Sequence, residues 1–151
     1  MPLKYLRKVP NTTFKIRKGE DWYQETSEDY FKDKVSLVVS LPGAFTPTWS
    51  SMQLPGLEAL YDDFKAKGID EIYCLSVNDS FVMNAWAKDL EIENVKMIPD
   101  SNGEFTRDMN MLVWKENLGF RSWRYAMFIN DMNVEYVISE KPPQGFFDLD
   151  T

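Results

Sequence analysis

Two short apolar segments rich in β-branched residues constrain the fold of this chain more than any other feature. Residues 35–40 and 72–77 show no alternation of apolar and polar side chains, which is typical of strands buried on both faces of a sheet. Between them, one apolar helix face is indicated by residues at positions i, i+3, i+4 and i+7, namely Leu57, Leu60, Tyr61 and Phe64. This order predicts parallel strands joined by a right-handed crossover.

Turn and cap residues give the remaining elements. A helix is predicted from about Thr48, interrupted at Pro55 and ended at Gly68; the next begins at 78–80. Residues 95–99, 122–129 and 133–139 are predicted strands, with a hairpin loop at 130–133 and a short helix at 104–111. Residues 1–33 are predicted to be mostly irregular, with an edge strand at 12–16 and a helical turn at 27–31. The whole order predicts an α/β sandwich with a mixed sheet.

Length and charge narrow the classes of function. The 151 residues predict a single domain over 1–151. A net charge of −7 argues against nucleic-acid binding and against docking on an anionic membrane. No apolar run approaches the roughly 20 residues that span a bilayer. Because the basic N-terminus lacks the apolar core of a signal peptide, we expect a cytoplasmic protein.

The chain has no histidine and one cysteine, Cys74. A Ser-His-Asp triad, a Cys-His pair, a His-ligated metal site and an intrachain disulfide are therefore excluded. We expect neither a metal nor a cofactor. Cys74 lies in the middle of a predicted buried strand, where a cysteine usually acts as a small, unreactive hydrophobe.

Two segments are candidates for chemistry. Residues 42–51 leave the carboxyl end of a buried strand and enter a helix N-terminus, where free amides favour an anion or a thiolate. The alternative is an ordinary turn whose prolines only set its shape. Residues 121–125 contain Arg121 and Arg124, which either stabilise an anion or pair with surface carboxylates. Spacing alone leaves both alternatives open.

At these residues the sequence resembles the peroxiredoxins, specifically the type-5 subfamily of thiol peroxidases. The family loop motif P-x-x-x-T/S-x-x-C corresponds here to residues 42–49, which read PGAFTPTW. The similarity extends through residues 54–56, 74–79, 81–86, 99–105 and 121–125, and covers roughly residues 34–140. The resemblance implies a thioredoxin-like sandwich with a central mixed β-sheet flanked by helices.

The resemblance also implies roles for four positions. Thr46 would hydrogen-bond the reactive thiolate and the peroxide, Arg124 would lower the thiol pKa and polarise the peroxide, and Pro42 would shield the pocket. The family reduces hydrogen peroxide and alkyl hydroperoxides with glutathione/glutaredoxin or thioredoxin, and its type-5 members commonly form homodimers. Trp49, however, stands at the position of the peroxidatic cysteine, so the resemblance predicts a protein without peroxidase activity.

Three hypotheses follow. The first is a peroxiredoxin-fold protein whose chemistry is lost, with Trp49 filling the substrate pocket or holding the first helical turn unwound. The second is a non-catalytic binding or scaffold protein with a sticky aromatic face, formed by Phe45, Trp49, Trp114, Phe120 and Trp123. The third is residual enzymatic activity through Cys74, which requires an exposed, reactive thiol.

Overall fold

The computed structural model describes residues 2–46 and 48–142. Its strands are β1 (Pro2–Lys8), β2 (Thr13–Lys18), β3 (Asp21–Thr26), β4 (Val35–Ser40), β5 (Glu71–Ser76), β6 (Lys96–Pro99), β7 (Leu112–Lys115), β8 (Gly119–Ser122), β9 (Tyr125–Asn130) and β10 (Asn133–Ser139). Its helices are α1 (Ser27–Phe31), α2 (Thr48–Ala59), α3 (Tyr61–Ala66), α4 (Ser80–Asp89) and α5 (Glu104–Asp108).

The central sheet is mixed, as the sequence predicts. Its strand order is β1-β10-β9-β4-β5-β6. The pairs β4–β5 and β5–β6 are parallel, whereas β4–β9, β9–β10 and β10–β1 are antiparallel. Two separate hairpins, β2–β3 and β7–β8, complete the strands of the described part of the chain. The parallel half ends in the loops that precede α2, α4 and α5, so these loops share one edge of the sheet.

Successive residues of the sheet face opposite sides, and each side has its own core. One core contains Val38 and Leu75 together with aromatic residues of β2, α1 and α5. The other contains Leu37 and Cys74 together with apolar residues of α2, α3 and α4. The prediction that β4 and β5 are buried on both faces is confirmed, because β5 is buried at all six positions.

The N-terminal segment differs from the prediction of an irregular leader. β1 pairs with β10, which lies at the far end of the chain. β2 pairs with β3, and the helical turn at 27–31 is present as α1, with Thr26 and Asp29 forming a capping box. The prediction missed β1 because its partner is more than 120 residues away, and a strand pairing at that distance leaves no local periodicity.

Three boundaries are also corrected. α2 continues through Pro55 and ends at Ala59; proline's φ is itself helical, so the ring removes one hydrogen bond without ending the helix. α5 ends at Asp108, and Asn110 then adopts a left-handed conformation with φ 61°. The predicted strand 122–129 is divided, because residues up to Ser122 pair with β7 and only β9 joins the central sheet.

Turn chemistry predicts other boundaries well. Asp79 caps α4, its side chain accepting a hydrogen bond from the amide of Val82 at 2.9 Å. Gly68 has φ +98° directly after α3, as expected of a residue that follows a helix end. The β9–β10 hairpin turns through Asp131 and Met132, both with positive φ.

A buried carboxylate at the start of β5 gives the fold a pH dependence. Glu71 accepts 2.7 Å hydrogen bonds from Tyr61 and Lys96. Burial alone would raise its pKa, but these bonds outweigh burial and hold the pKa below its ordinary value. The ionised form therefore stabilises the fold above the unfolded-state pKa, and this contribution is lost as the pH falls through the lowered pKa.

We therefore expect Glu71→Gln to flatten the acid dependence of stability. Urea unfolding between about pH 6 and about pH 3 should show a smaller decline for Glu71→Gln than for the parent chain. Glu20→Gln, at an exposed position, is the matched control and should follow the parent. Equal acid dependence in all three proteins would contradict this expectation.

Candidate functional site

The loop at residues 41–46 begins where β4 ends, at the carboxyl edge of the parallel strands. Leu41 extends the pairing, since its amide donates to the carbonyl of Leu75 at 3.0 Å. The hydroxyl of Ser76 then donates to the carbonyl of Leu41 at 2.9 Å. Pro42 and Gly43 are buried. The start of the loop is thus held by the end of β5, and it belongs to the interior rather than to the solvated surface.

Asn78 fixes the middle of the loop. Its side-chain oxygen accepts a hydrogen bond from the amide of Ala44 at 2.9 Å. Its own amide donates to the carbonyl of Ser76, as does the amide of Asp100. The three loops at the ends of β4, β5 and β6 are therefore joined at one point. From the sequence, residue 78 is expected only at the start of a helix, although an amide side chain at the end of a central strand is a signal for such a role.

Gly43 and Arg121 pack against each other. A Cβ added at Gly43 would lie 3.5 Å from Nε of Arg121 and 3.1 Å from a methyl carbon of Thr46. One terminal nitrogen of Arg121 donates to the carbonyl of Val77 at 2.7 Å. The Arg121 side chain thus extends from β8 to the residue that follows β5. Arg121 therefore approaches the loop at Gly43.

Thr46 and Phe45 form the outer part of the loop. The Thr46 hydroxyl donates to the carbonyl of Gly43 at 2.7 Å, which closes a tight turn of four residues, 43–46. Phe45 has φ +59° and a ring that is 55% exposed. A bulky residue with positive φ is uncommon and stores strain. The loop therefore has a constrained shape that the hydrogen bonds of Asn78, Ser76 and Thr46 maintain.

Arg124 lies at the same edge of the sheet as the loop. Ser40, the last residue of β4, pairs with Tyr125, and the hydroxyls of Ser40 and Ser122 are 2.9 Å apart. The Arg124 guanidinium is 3.2 Å from the Glu140 carboxylate, which also accepts from the Arg124 backbone amide at 3.0 Å. Sequence reasoning missed Glu140, because its position beside Arg124 depends on the β9–β10 hairpin.

Trp49 lies in the first turn of α2, which begins at Thr48. The helix is wound at this position, so the hypothesis that Trp49 holds the turn unwound is wrong for this structure. The Trp49 side chain lies outside the described residues. Its backbone position places it at the N-terminal end of a twelve-residue helix, where amides without helical partners and the helix dipole favour negative charge.

Asp100 is a buried acid that no sequence motif marks as a candidate site residue. It follows β6 and accepts hydrogen bonds from the amides of Phe105 and Thr106, at 3.2 and 2.8 Å, and from the Thr106 hydroxyl at 2.7 Å. Burial raises its pKa, and these hydrogen bonds oppose the rise. Its donors all come from α5, so its role is to fix the end of β6 to that helix.

Cys74 lies inside the core between the sheet and α2–α4. It is fully buried, and burial raises the pKa of its thiol to about 12. A thiol with so high a pKa has almost no thiolate at neutral pH, and thiolate is the reactive form. This environment agrees with the expectation of an unreactive hydrophobe.

We therefore expect Cys74 to resist thiol reagents in the native state. Labelling with an aromatic disulfide reagent should be very slow in buffer and complete within minutes in denaturant, since only unfolding exposes the sulfur. The denatured sample is the control for reagent and stoichiometry. Rapid labelling of the folded protein would contradict this expectation and would revive catalysis through Cys74.

Metal and membrane features are also absent from the described part of the chain. Residues 2–46 and 48–142 contain no group of three or more acidic, cysteine or histidine residues placed to hold a metal ion. Within the same ranges, no helix has the length and apolar character needed to cross a bilayer.

Known proteins resemble this chain over nearly its whole length. Residues 7–151 match the family described as Redoxin. The chain is 52% identical to the peroxiredoxin y4vD of Sinorhizobium fredii, over 98% of this chain and 82% of that protein. It is 50% identical to the hybrid peroxiredoxin hyPrx5 of Haemophilus influenzae, over 92% of this chain and 58% of that protein.

Among solved structures, reduced Prx3 of Vibrio vulnificus in complex with hydrogen peroxide is 35% identical. The two superpose with a TM-score of 0.86 over 93% of this chain and 89% of that one. The mixed sheet flanked by helices is thus the thioredoxin-like fold of these proteins. Together with the loop at the end of β4 and the match over residues 7–151, this likeness shows that the chain belongs to the peroxiredoxin family.

Proposed function

We propose that this chain, a single redoxin domain over residues 1–151, keeps the peroxiredoxin scaffold but does not reduce peroxides. Peroxidase function is what the family match supports in general. The observation that carries the proposal is the first turn of α2, where Trp49 occupies the place of the nucleophile. The chain's single cysteine, Cys74, is fully buried in the core between the sheet and α2–α4.

The family reaction shows why this position matters. A thiolate attacks one oxygen of the peroxide, the O–O bond breaks, and the sulfur becomes a sulfenic acid while the other oxygen leaves as water or alcohol. A second thiol then reduces the sulfenic acid. Indole has one N–H donor and no sulfur that can be oxidised and reduced in this way. Neither Ser50 nor Ser51 can substitute, because a hydroxyl cannot pass through a sulfenic state.

The other three residues of the family's site are still present, which supports the proposal that only the nucleophile has been lost. Pro42 stays buried, the Thr46 hydroxyl is within the turn, and Arg124 lies at the same sheet edge as the loop. We assign to these three residues the roles of shielding, hydrogen bonding and charge stabilisation that the family implies. An indole at this position replaces a much smaller side chain, which is a second reason to propose that the site no longer accepts a peroxide.

A peroxide-consumption assay tests this proposal. The purified chain is incubated with hydrogen peroxide or an alkyl hydroperoxide, first with glutathione, glutaredoxin and their reductase, then with a thioredoxin system. We expect NADPH oxidation no faster than in the absence of the protein. A cysteine-containing peroxiredoxin assayed in parallel is the positive control. Turnover above background with either reductant system would overturn the proposal.

Exposed aromatic side chains favour a second candidate function, as a binding protein that includes self-association. Phe45, Trp114 and Phe120 are each more than half exposed, and the rings of Trp114 and Phe120 meet edge to face at 5.1 Å. Trp123 is covered instead by Lys115, whose ammonium is 4.7 Å from the ring. Aromatic residues on an accessible surface are frequent anchors of protein interfaces. We propose a homodimer through this face, in the cytoplasm.

Analytical ultracentrifugation of the parent and of Trp114→Ser tests the second candidate, a homodimer through the aromatic face. A dimer at micromolar concentration that Trp114→Ser weakens would support the interface. Phe81→Ser, at a residue of α4 that is 56% exposed, is the matched control and should leave the dimer intact. A monomer at all concentrations, or a dimer insensitive to Trp114→Ser, would contradict the interface.

A further inference from the structure

The outward face of the β2–β3 hairpin carries cations and an exposed aromatic ring. Phe14 and Ile16 of β2 are buried in the core, so the residues that alternate with them face outward. Paired residues of two strands share a face, and the register therefore gives the outward face as Thr13, Lys15, Arg17, Trp22, Gln24 and Thr26. This face has two cations and no carboxylate, although the net charge of the chain is −7.

Contacts with α4 hold Trp22 in place. Its ring meets the ring of Phe81 at 5.4 Å with an interplanar angle of 90°, and the Arg17 guanidinium lies 5.5 and 5.4 Å from the centres of these two rings. The Arg17 amide donates to the Ser80 hydroxyl and the Arg17 carbonyl accepts from the Asn84 side chain, both at 2.9 Å. Trp22 and Phe81 nevertheless remain 53% and 56% exposed. The surface therefore presents an exposed aromatic pair in a fixed position, with a cation beside it.

β3 has a free edge on the side away from β2. Because the backbone groups of Arg17 bond to α4, they point away from β3, and those of its partner Trp22 point away from β2. Gln24, two residues further along β3, also points its amide and carbonyl to the free edge. No residue of the ranges 2–46 and 48–142 hydrogen-bonds these groups. An open groove of about 410 Å³ adjoins them, lined by Lys15, Trp22, Tyr23 and Gln24, so β3 can accept a further strand.

We propose that the free edge of β3 binds an extended peptide segment of another protein, in which acidic and apolar residues alternate. The peptide pairs its backbone with Trp22 and Gln24 as an added strand. Its acidic side chains lie on the outward face, where Lys15 and Arg17 attract them and no carboxylate opposes them. Its apolar side chains lie on the other face beside Tyr23, which is 48% exposed.

A second copy of this chain fits the edge poorly. Asp21 and Glu25 lie on the face of β3 opposite to the outward one. In an antiparallel pair of two copies each residue stays on its own face, so the carboxylates of both copies would gather on one face and Lys15 and Arg17 of both on the other. Like charges brought together in this way destabilise a strand pair. The proposed peptide supplies the missing carboxylates, and its binding does not depend on redox activity.

Fluorescence anisotropy of a labelled peptide of alternating glutamate and valine tests the proposal on the full chain. We expect saturable binding that is at least about tenfold tighter than that of a lysine–valine peptide. N-methylation of the peptide's backbone amides should abolish binding, because a methylated amide cannot donate to β3. No saturable binding, equal binding of the lysine–valine peptide, or binding that survives N-methylation would overturn the proposal. Displacement of the peptide by oligothymidylate of higher affinity would also overturn it and assign the face to single-stranded nucleic acid.

Variants of the hairpin give an independent measurement. Gln24→Pro removes an amide hydrogen that points to the free edge and keeps the β2–β3 hydrogen bonds, so we expect about tenfold weaker peptide binding. Lys15 is exposed and belongs to none of the ion pairs among residues 2–46 and 48–142, and Lys15→Gln should weaken binding severalfold. Lys67→Gln, at an exposed lysine that follows α3, is the matched control. Unchanged affinity in either hairpin variant, or an equal loss in Lys67→Gln, would contradict the proposal.

Discussion

Replacing Trp49 by cysteine is expected to convert an inactive protein into a peroxidase. The substitution places a thiol in the first turn of α2, where the helix N-terminus lowers a thiol pKa. Enzymatic rate enhancements begin at about 10⁶-fold over the uncatalysed reaction, so the change should be unmistakable. Peroxide consumption with glutathione/glutaredoxin and with thioredoxin measures it.

Two controls make this experiment specific. Trp49→Ser removes the indole without supplying sulfur and should remain inactive. Trp49→Cys combined with Cys74→Ser should keep the restored activity, because Cys74 is buried in the core with a strongly raised pKa. If Trp49→Cys folds normally and still consumes no peroxide, the loop or the arginines have lost their function too, and Trp49 is not the single cause.

Truncating Trp86 is expected to be among the most destabilising single changes in the described part of the chain. Trp86 lies on α4, is 1% exposed and packs with Leu54 and Met83 in the core under α2–α4. Trp86→Ala removes a large buried ring and leaves a cavity, which costs about 3–5 kcal/mol of unfolding free energy. Urea unfolding measures the loss as a lower midpoint with an unchanged slope.

Trp114→Ala is the matched control for this measurement. Its ring is 64% exposed and contacts Phe120 at the surface, so the expected cost is about 1 kcal/mol or less. Trp86→Phe, which keeps a ring in the core, should lie between the two. Similar losses of unfolding free energy for Trp86→Ala and Trp114→Ala would contradict a stabilising role of Trp86 in the core between the sheet and α2–α4.

Much of the fold follows from local signals. The unbroken apolar pattern of β4 and β5 predicts two central strands, and Asp79 and Gly68 mark helix boundaries with the conformations they adopt. The elements that the apolar pattern does not predict depend on partner strands far away in the sequence. β1 exists as a strand through β10, and β8 is separated from β9 by its pairing with β7. The break predicted at Pro55 is absent, because α2 is anchored in the core by the fully buried Leu54 next to it.

The candidate site shows the same division. The position of the loop after β4, and of Trp49 at the helix start, could be predicted from the motif and from strand order. The hydrogen bond from Ala44 to Asn78 and the pairing of Arg124 with Glu140 could not. The first contact joins residues 34 positions apart and the second joins residues 16 positions apart. The β4–β5 pairing brings the first two residues together, and the β9–β10 pairing brings the second two together.

The pairing of β1 with β10 has a consequence for the order in which the molecule is assembled. Pro2 lies opposite Ile138 in the sheet, so β1 cannot pair until β10, which is synthesised more than 120 residues later, is available. Contacts of such long sequence separation slow folding, because a large loop must close before they form. We therefore expect the parallel strands β4, β5 and β6 to become protected from hydrogen exchange early during refolding, and β1 last.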